Sequence, residues 1–228
     1  MGFVATGYRA LLDFLYPPHC LLCQTFLDGQ AHCICQHCCH RVFSSGAWPC
    51  VEQLGGEIQL FVLSDFNDDI RQLIHLLKYR GKTKVGFWLG EMLGNQLNKY
   101  FAPDPEWIIV PIPLHAARKR ERGYNQSALI AKAMGKILHL NVHEHLVKRL
   151  RNTPTQTQLH LIERQENVWK AFQVVQPELV TGKKVLLLDD VVPTGATVMS
   201  CVQMLMQTGA TEVMGVAIGR PQLGQDAV

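Results

Sequence analysis

The sequence predicts an α/β protein, a mostly parallel sheet flanked by helices, with a small four-cysteine metal module ahead of it. Three observations lead there. Beyond about residue 55, short apolar runs alternate with stretches of helical periodicity, the pattern of repeated βα units. Six of the eight cysteines fall between Cys20 and Cys39. The strongest apolar run, residues 183–191, ends on two aspartates and a small-residue turn, Thr194-Gly195-Ala196-Thr197.

Bulk composition sets the bounds. With 228 residues, 47% of them hydrophobic and 18% charged, the chain can bury one full α/β core plus an appendage. The expected division is 1–54 for an N-terminal helix and the cysteine module and 55–228 for the α/β domain, with Leu54-Gly55-Gly56 as linker. A net charge of +3 is too small to argue nucleic-acid binding from the total. Cations do cluster, however, at Arg118, Lys119, Arg120 and Arg122, and again at Lys148, Arg149 and Arg151.

No stretch approaches the roughly 18 uninterrupted apolar residues of a membrane span. Residues 1–16 lack a cationic leader, and Arg9 and Asp13 interrupt their apolar run, so a secretory signal is not expected. They read instead as a short amphipathic helix that packs through Leu11, Leu12, Phe14 and Leu15.

The cysteines come next. Local clustering without a leader favours a metal in a reducing cytosol over a disulfide framework. Cys20 and Cys23 form one C-x2-C knuckle and Cys35 and Cys38 another, eleven residues on. Each knuckle can offer two thiolates, and together they complete a tetrahedron suited to structural zinc. Cys33 or Cys39 could replace a neighbour, and His32, His37 and His40 are also within reach. A segment this small cannot bury enough apolar surface to fold alone, so metal binding would contribute folding free energy.

In the second part, residues 61–66 read as a strand. Asp68 is the expected N-cap of a helix whose apolar face is Ile70, Leu73, Ile74 and Leu77, ending at Gly81. A second helix runs from Thr83 to Tyr100 and stops before Pro103 and Pro105. Residues 107–113 form a buried strand, followed by a basic loop. A helix over 126–138 turns Leu129, Ile130, Ala133, Met134 and Ile137 inward. Residues 149–167 are too polar for core and read as a long excursion from the sheet, a feature uncommon in compact domains and often functional. Residues 183–191 and 212–220 are strands, joined by a helix with Val198, Val202, Leu205 and Met206 inward.

A buried strand that delivers Asp189 and Asp190 to its carboxyl end, followed by a turn into a helix, suits a phosphorylated sugar. Backbone N–H groups and the helix N-terminus can hold a phosphate, with the Thr194 and Thr197 hydroxyls as further donors and Gly195 permitting close approach. The carboxylates can accept hydrogen bonds from ribose hydroxyls or hold hydrated Mg²⁺.

This segment resembles the thirteen-residue phosphoribosyl diphosphate motif of type I phosphoribosyltransferases. The resemblance extends further: the two cysteine knuckles after Pro17-Pro18, residues 77–81 (LKYRG), residues 111–126 (PIPLHAARKRERGYNQ) and residues 151–168 are similar to the ComF/GntX family, in the expected order along nearly the whole chain. The resemblance implies a type I phosphoribosyltransferase-like fold, with Asp189 and Asp190 contacting ribose and Thr194, Gly195, Ala196 and Thr197 cradling the 5′-phosphate. Lys78, Arg118, Arg120 and Arg122 become partners of the diphosphate or of nucleic-acid phosphates. Tyr124 and Asn125 anchor that loop or touch the ligand. Arg149, Arg151, Thr153, Gln156, Arg164 and Asn167 resemble a hood that closes over the reacting centre. Pro193 departs from the family, which commonly has Thr there. It removes an N–H and cannot supply the acid some purine-specific relatives use, which points away from purine salvage.

Two functions follow by resemblance. One is transfer of ribose 5-phosphate from phosphoribosyl diphosphate with Mg²⁺, acceptor unnamed, in DNA uptake, natural transformation or use of external DNA. The other is a non-catalytic module that senses phosphoribosyl diphosphate or a nucleotide and engages single-stranded DNA or a DNA-uptake helicase.

Overall fold

The structure is a computed structural model that describes residues 17–27, 33–43, 49–56, 58–150 and 171–221. The expected N-terminal helix, His32, and the hood residues Arg151, Thr153, Gln156, Arg164 and Asn167 lie outside these residues. After the first knuckle comes α1 (Gln36–Val42), then β1 (Cys50–Leu54), β2 (Ile58–Asp65), α2 (Asp68–Tyr79), α3 (Thr83–Tyr100) and β3 (Trp107–Pro111). The chain continues through α4 (Ala116–Arg122), α5 (Gln126–Leu138), β4 (Val147–Arg149) and β5 (Phe172–Val174). It closes with β6 (Lys184–Val191), α6 (Ala196–Gln207) and β7 (Glu212–Arg220).

The main sheet has the order β1-β2-β7-β6-β3. Strands β2, β7, β6 and β3 are mutually parallel, and β1 is antiparallel at one edge. Alternate residues of each strand feed opposite faces, as a period of two requires. Phe61, Leu63, Leu186, Leu188, Val216 and Ile218 meet α2, α3 and α5 on one face. Leu60, Val62, Leu187 and Ala217 meet α6 and the β4–β5 ribbon on the other.

Connectivity creates a crevice. After β3 the chain leaves through α5 on the first face and returns beside β3 at its outer edge, where Ile109 bridges Val142. After β6 it leaves through α6 on the other face, toward β7. Two neighbouring strands thus send their chains in opposite directions, the switch point where open α/β sheets bind ligands. The carboxyl ends of β3 and β6 face it.

Four readings need correction. The N-cap of α2 is Asn67, whose side chain accepts from the N–H of Ile70, while Asp68 is the first helical residue. Leu54-Gly55-Gly56 is the turn of the β1–β2 hairpin rather than a linker, so the strand before it belongs to the main sheet. The basic loop is a seven-residue helix, α4, with no buried residue. Met206 is 46% exposed; Cys201, fully buried, takes the inward place.

The close fit of α3 on α5 has a simple cause. Gly86, Gly90 and Gly94 recur every fourth residue and so share one helix face. A Cβ at Gly90 would lie 2.3 Å from the Ile130 carbonyl oxygen and 2.7 Å from the Ala133 Cβ. The helices must separate to admit a methyl group. Gly90→Ala is expected to destabilise the fold by about 1–3 kcal/mol, although alanine favours an isolated helix by about 1 kcal/mol. Chemical denaturation measures it, and a neutral or stabilising result would show that the two helices can move apart freely.

Candidate functional site

Strand β6 carries Asp189 and Asp190 to the crevice, and each meets a different face. Asp190 is buried; its Oδ2 lies 2.9 Å from the Lys78 ammonium at the end of α2, with the two side chains 5% and 11% exposed. The Gln126 amide donates to Asp190 Oδ1 at 3.4 Å, a long and weak bond. Gln126 is itself oriented by Arg122, whose guanidinium donates to its Oε1 at 2.5 Å and also lies 5.4 Å over the Tyr79 ring. Asp189 is partly buried; its Oδ1 accepts from the Ser127 hydroxyl at 3.1 Å and the Asp190 N–H at 2.9 Å.

These surroundings separate the two acids electrostatically. Burial, and then the charge of Asp190, push Asp189 up to about 7. Burial alone would raise Asp190 too, but the Lys78 ammonium and the hydrogen bonds around it more than offset this and hold Asp190 below the usual carboxylate range.

The following turn carries the phosphate-binding expectation. Gly195 has φ +78°, and a Cβ there would sit 2.3 Å from Leu54 Cδ1, so the hairpin turn presses on the loop and only glycine fits. Among the described residues, no side chain caps α6 apart from a 3.5 Å contact from the Ala196 N–H to Thr194 Oγ1. Its first-turn N–H groups remain a donor surface for an anion. Pro193 and Thr194 are exposed, and Ala196 and Thr197 half-buried.

Across the crevice, α4 follows β3 and presents Arg118 and Arg120 to solvent. Arg149 on β4 lies over Phe172 at 5.4 Å. Burial and then the like charge of Arg118 lower the Arg149 pKa, while Asp189 acts in the opposite sense. Arg118, Arg149 and Asp189 therefore share one electrostatic neighbourhood. Tyr124 anchors the segment by donating to the Leu77 carbonyl. Asn125 caps α5 by accepting from the Ser127 N–H, and its amide donates to the Ile112 carbonyl at 3.0 Å. A cleft of ≈ 710 Å³ opens beside them, lined by Lys119, Lys132, Lys148 and Arg149 over Leu114, Leu129 and Leu150.

The cysteine module forms a second centre. The sulfurs of Cys20, Cys23, Cys35 and Cys38 all lie within 4.8 Å of one another, with Cys23 and Cys35 3.6 Å apart. Tetrahedral zinc thiolate ligation, with bonds of about 2.3 Å, needs sulfurs about 3.8 Å apart, so the donor set fits. The Thr25 hydroxyl and N–H lower Cys23 to about 6. Burial and its sulfur neighbours push Cys38 far up. Four clustered sulfurs cannot all be thiolates without a cation among them. Cys33, Cys39, His37 and His40 stand outside the cluster.

Sequence reasoning missed Ser127 and Gln126, which hold the two acids. The signal was present: they extend the inward face of Ile130 and Met134 back by one turn or two, as polar residues.

The electrostatics give a test. A native pKa raised above the reference 3.8 contributes stability that is complete below 3.8 and is lost as pH climbs to about 7. Going from about pH 4.5 to about pH 8, Asp189→Asn is expected to gain about 1–2 kcal/mol on the wild type, less than full linkage because Asp189 is only partly buried. Urea melts across that range measure it; parallel profiles would exclude Asp189 as the titrating group.

The chain is 32% identical over 161 residues to the DNA utilization protein YhgH of Escherichia coli K12, covering 68% of this chain and 69% of the relative. It is 27% identical over 207 residues to competence protein F of Haemophilus influenzae, covering 86% and 82%. Competence protein ComFC of Bacillus subtilis is 27% identical over 144 residues, covering 63% and 56%. Among solved structures, adenine phosphoribosyltransferase of Leishmania tarentolae superposes with TM-score 0.43 at 11% identity, over 75% of this chain and 94% of that one. Glutamine phosphoribosylpyrophosphate amidotransferase of B. subtilis gives TM-score 0.41 at 22% identity, over 58% and 26%. No protein-family model matches the chain.

Proposed function

Because the chain belongs to the ComF family and carries a type I phosphoribosyltransferase-like α/β fold with a four-cysteine cluster, we propose that it binds phosphoribosyl diphosphate with Mg²⁺ and acts in DNA uptake, natural transformation or use of external DNA. The observation that carries this reading is the acid pair at the carboxyl end of β6, at the switch point, with the Gly195 turn beside it. The acid pair reads the ribose hydroxyls, and residues 194–197 with the start of α6 receive the 5′-phosphate. Arg118 and Arg120 face the diphosphate or a nucleic-acid phosphate. Among the described residues the acid pair is not part of a cluster of metal ligands. In this reading Mg²⁺, which commonly stays bound to substrate phosphates, arrives with the diphosphate.

Release of diphosphate, in which the anomeric C–O bond breaks as a bond to an acceptor forms, separates a transferase from a sensing module. The cleft beside Tyr124 sets Lys119, Lys148, Arg149 and a Lys132 paired with Glu144 over leucines, a net cationic lining that favours an acceptor or partner that is anionic and partly apolar, and single-stranded DNA has that chemistry. Among the described residues, no helix is long and apolar enough to cross a membrane. A reducing cytosol suits a cluster of four cysteines that bind metal as thiolates.

Calorimetry with Mg²⁺ is expected to show saturable uptake of phosphoribosyl diphosphate, weakened about 100-fold or more in Asp189→Asn, the cost of deleting a charged hydrogen-bond acceptor of about 3 kcal/mol. No uptake by folded, metal-replete protein would remove the reading. For the cysteine centre, metal analysis is expected to find zinc bound stoichiometrically, lost in Cys38→Ser and retained in Cys33→Ala and Cys39→Ser. Loss of the metal in the last two variants would assign the ligands differently.

A further inference from the structure

Lys78 and Tyr79 end α2 together, but Lys78 turns inward to Asp190 whereas Tyr79 is 56% exposed. A lone exposed aromatic needs no explanation. This one is held. The Arg122 guanidinium of α4 lies 5.4 Å from its ring centroid, and the His75 ring, one turn back along α2, lies 5.1 Å away. Arg122 is itself fixed by its bond to Gln126. Resting on the DNA-handling part of the reading above, we propose that Tyr79 is a stacking platform for a base of single-stranded DNA, and that helix α4 carries the strand's phosphates to it from the cleft.

Helix α4 has the charge and the placement for such a path. It holds four cations and one acid, Glu121, and buries no residue, so its charges contribute nothing to the core. Arg118, Lys119 and Arg122 fall within about 100° of arc on it. Lys119 lines the cleft beside Tyr124, and Arg122, one turn on, covers Tyr79. Residues three apart on a helix are surface neighbours, so a continuous cationic face joins the cleft to the aromatic ring. Beyond Tyr79 the chain adds Arg80 and Lys82, both exposed.

Single-stranded DNA presents the two features such a surface can use, a phosphate at every nucleotide and a base face free of its neighbours. Stacking is indifferent to base identity because every base has a π-face, so the platform suits a strand of any sequence. A duplex keeps those faces stacked internally. A ring already held in place loses little freedom on binding, and more of the stacking free energy then appears as affinity.

Anisotropy titration with an oligothymidine strand, and with a strand of equal length whose sugars lack bases, separates stacking from charge. Tyr79→Leu is expected to weaken the thymidine strand about tenfold, as for the loss of one stacked base, and to leave the abasic strand unchanged. Tyr79→Phe keeps the ring and should bind both strands as the wild type does. Lys119→Gln should weaken both strands by one factor and reduce the slope of log affinity against log salt by about 0.7, one phosphate contact on a single strand. An unchanged slope would overturn α4 as the path. An equal loss on both strands in Tyr79→Leu would show that Tyr79 serves only to seat Arg122, and would overturn the platform; so would an undiminished affinity for thymidine. Should Tyr79→Leu not fold, ultraviolet crosslinking of an iodouracil-bearing strand to the wild type decides. A crosslink mapped to Tyr79 supports the platform, and crosslinks confined to other residues overturn it. Wild-type protein that binds neither strand removes the DNA part of the reading itself, whereas binding that ignores Tyr79 removes only this assignment.

Discussion

The ion pair between Lys78 and Asp190 ties the first helix of the α/β unit to strand β6, and the arrangement of the crevice depends on it. Such a pair adds little net stability over an apolar alternative, because taking two charges out of water costs nearly as much as their attraction returns. Breaking it is another matter: removing one partner leaves a buried charge unopposed, at a cost of about 3–5 kcal/mol. What the pair supplies is position. It fixes the end of α2 over the carboxyl end of β6, and the Leu77 carbonyl one residue earlier accepts from Tyr124, which leads into α5.

The other end of the same helix holds the cysteine module. Arg41 of α1 forms a paired contact with both oxygens of Asp69, at 2.5 and 2.8 Å, and the Gln72 amide reaches the Leu21 carbonyl. Ser64 and Asn67 both donate to the Val42 carbonyl. Cys20, Cys38, Ile34 and Val42 pack into the same apolar cluster as Leu73 and Leu77. The module is thus built onto the main core rather than hung from it. One twelve-residue helix connects the four sulfurs to the acid pair.

Hydrophobic period made most of this legible in the sequence. The strands at 184–191 and 212–220 and the helix face of Ile70, Leu73, Ile74 and Leu77 were readable because each buries one regular set of apolar residues. The misses have physical causes. Asn67 and Asp68 are both good caps in adjacent places, and only the backbone decides between them. Helix α4 buries nothing, so its charges left no period to detect. Met206 and Cys201 flank the arc set by Val198, Val202 and Leu205 at nearly equal angles on opposite sides, so helical period does not decide which of them is buried. The β1–β2 turn looked like a linker because paired glycines mark a hairpin and a tether alike.

The site was half legible for a deeper reason. Sequence shows that two acids end a buried strand, and a motif places them in one role. It does not show that the strand ends where the sheet switches direction, so that its two faces carry unlike neighbours. Alternation along β6 then gives Asp189 and Asp190 different surroundings: Arg149 of the ribbon acts on Asp189, which Ser127 of α5 also reaches, while Lys78 pairs with Asp190. The same alternation that fills the core with Leu186, Leu187 and Leu188 divides the two carboxylates between the faces. Their inequivalence is therefore a property of topology acting on period two. Side-chain identity alone, which is the same at both positions, could not produce it.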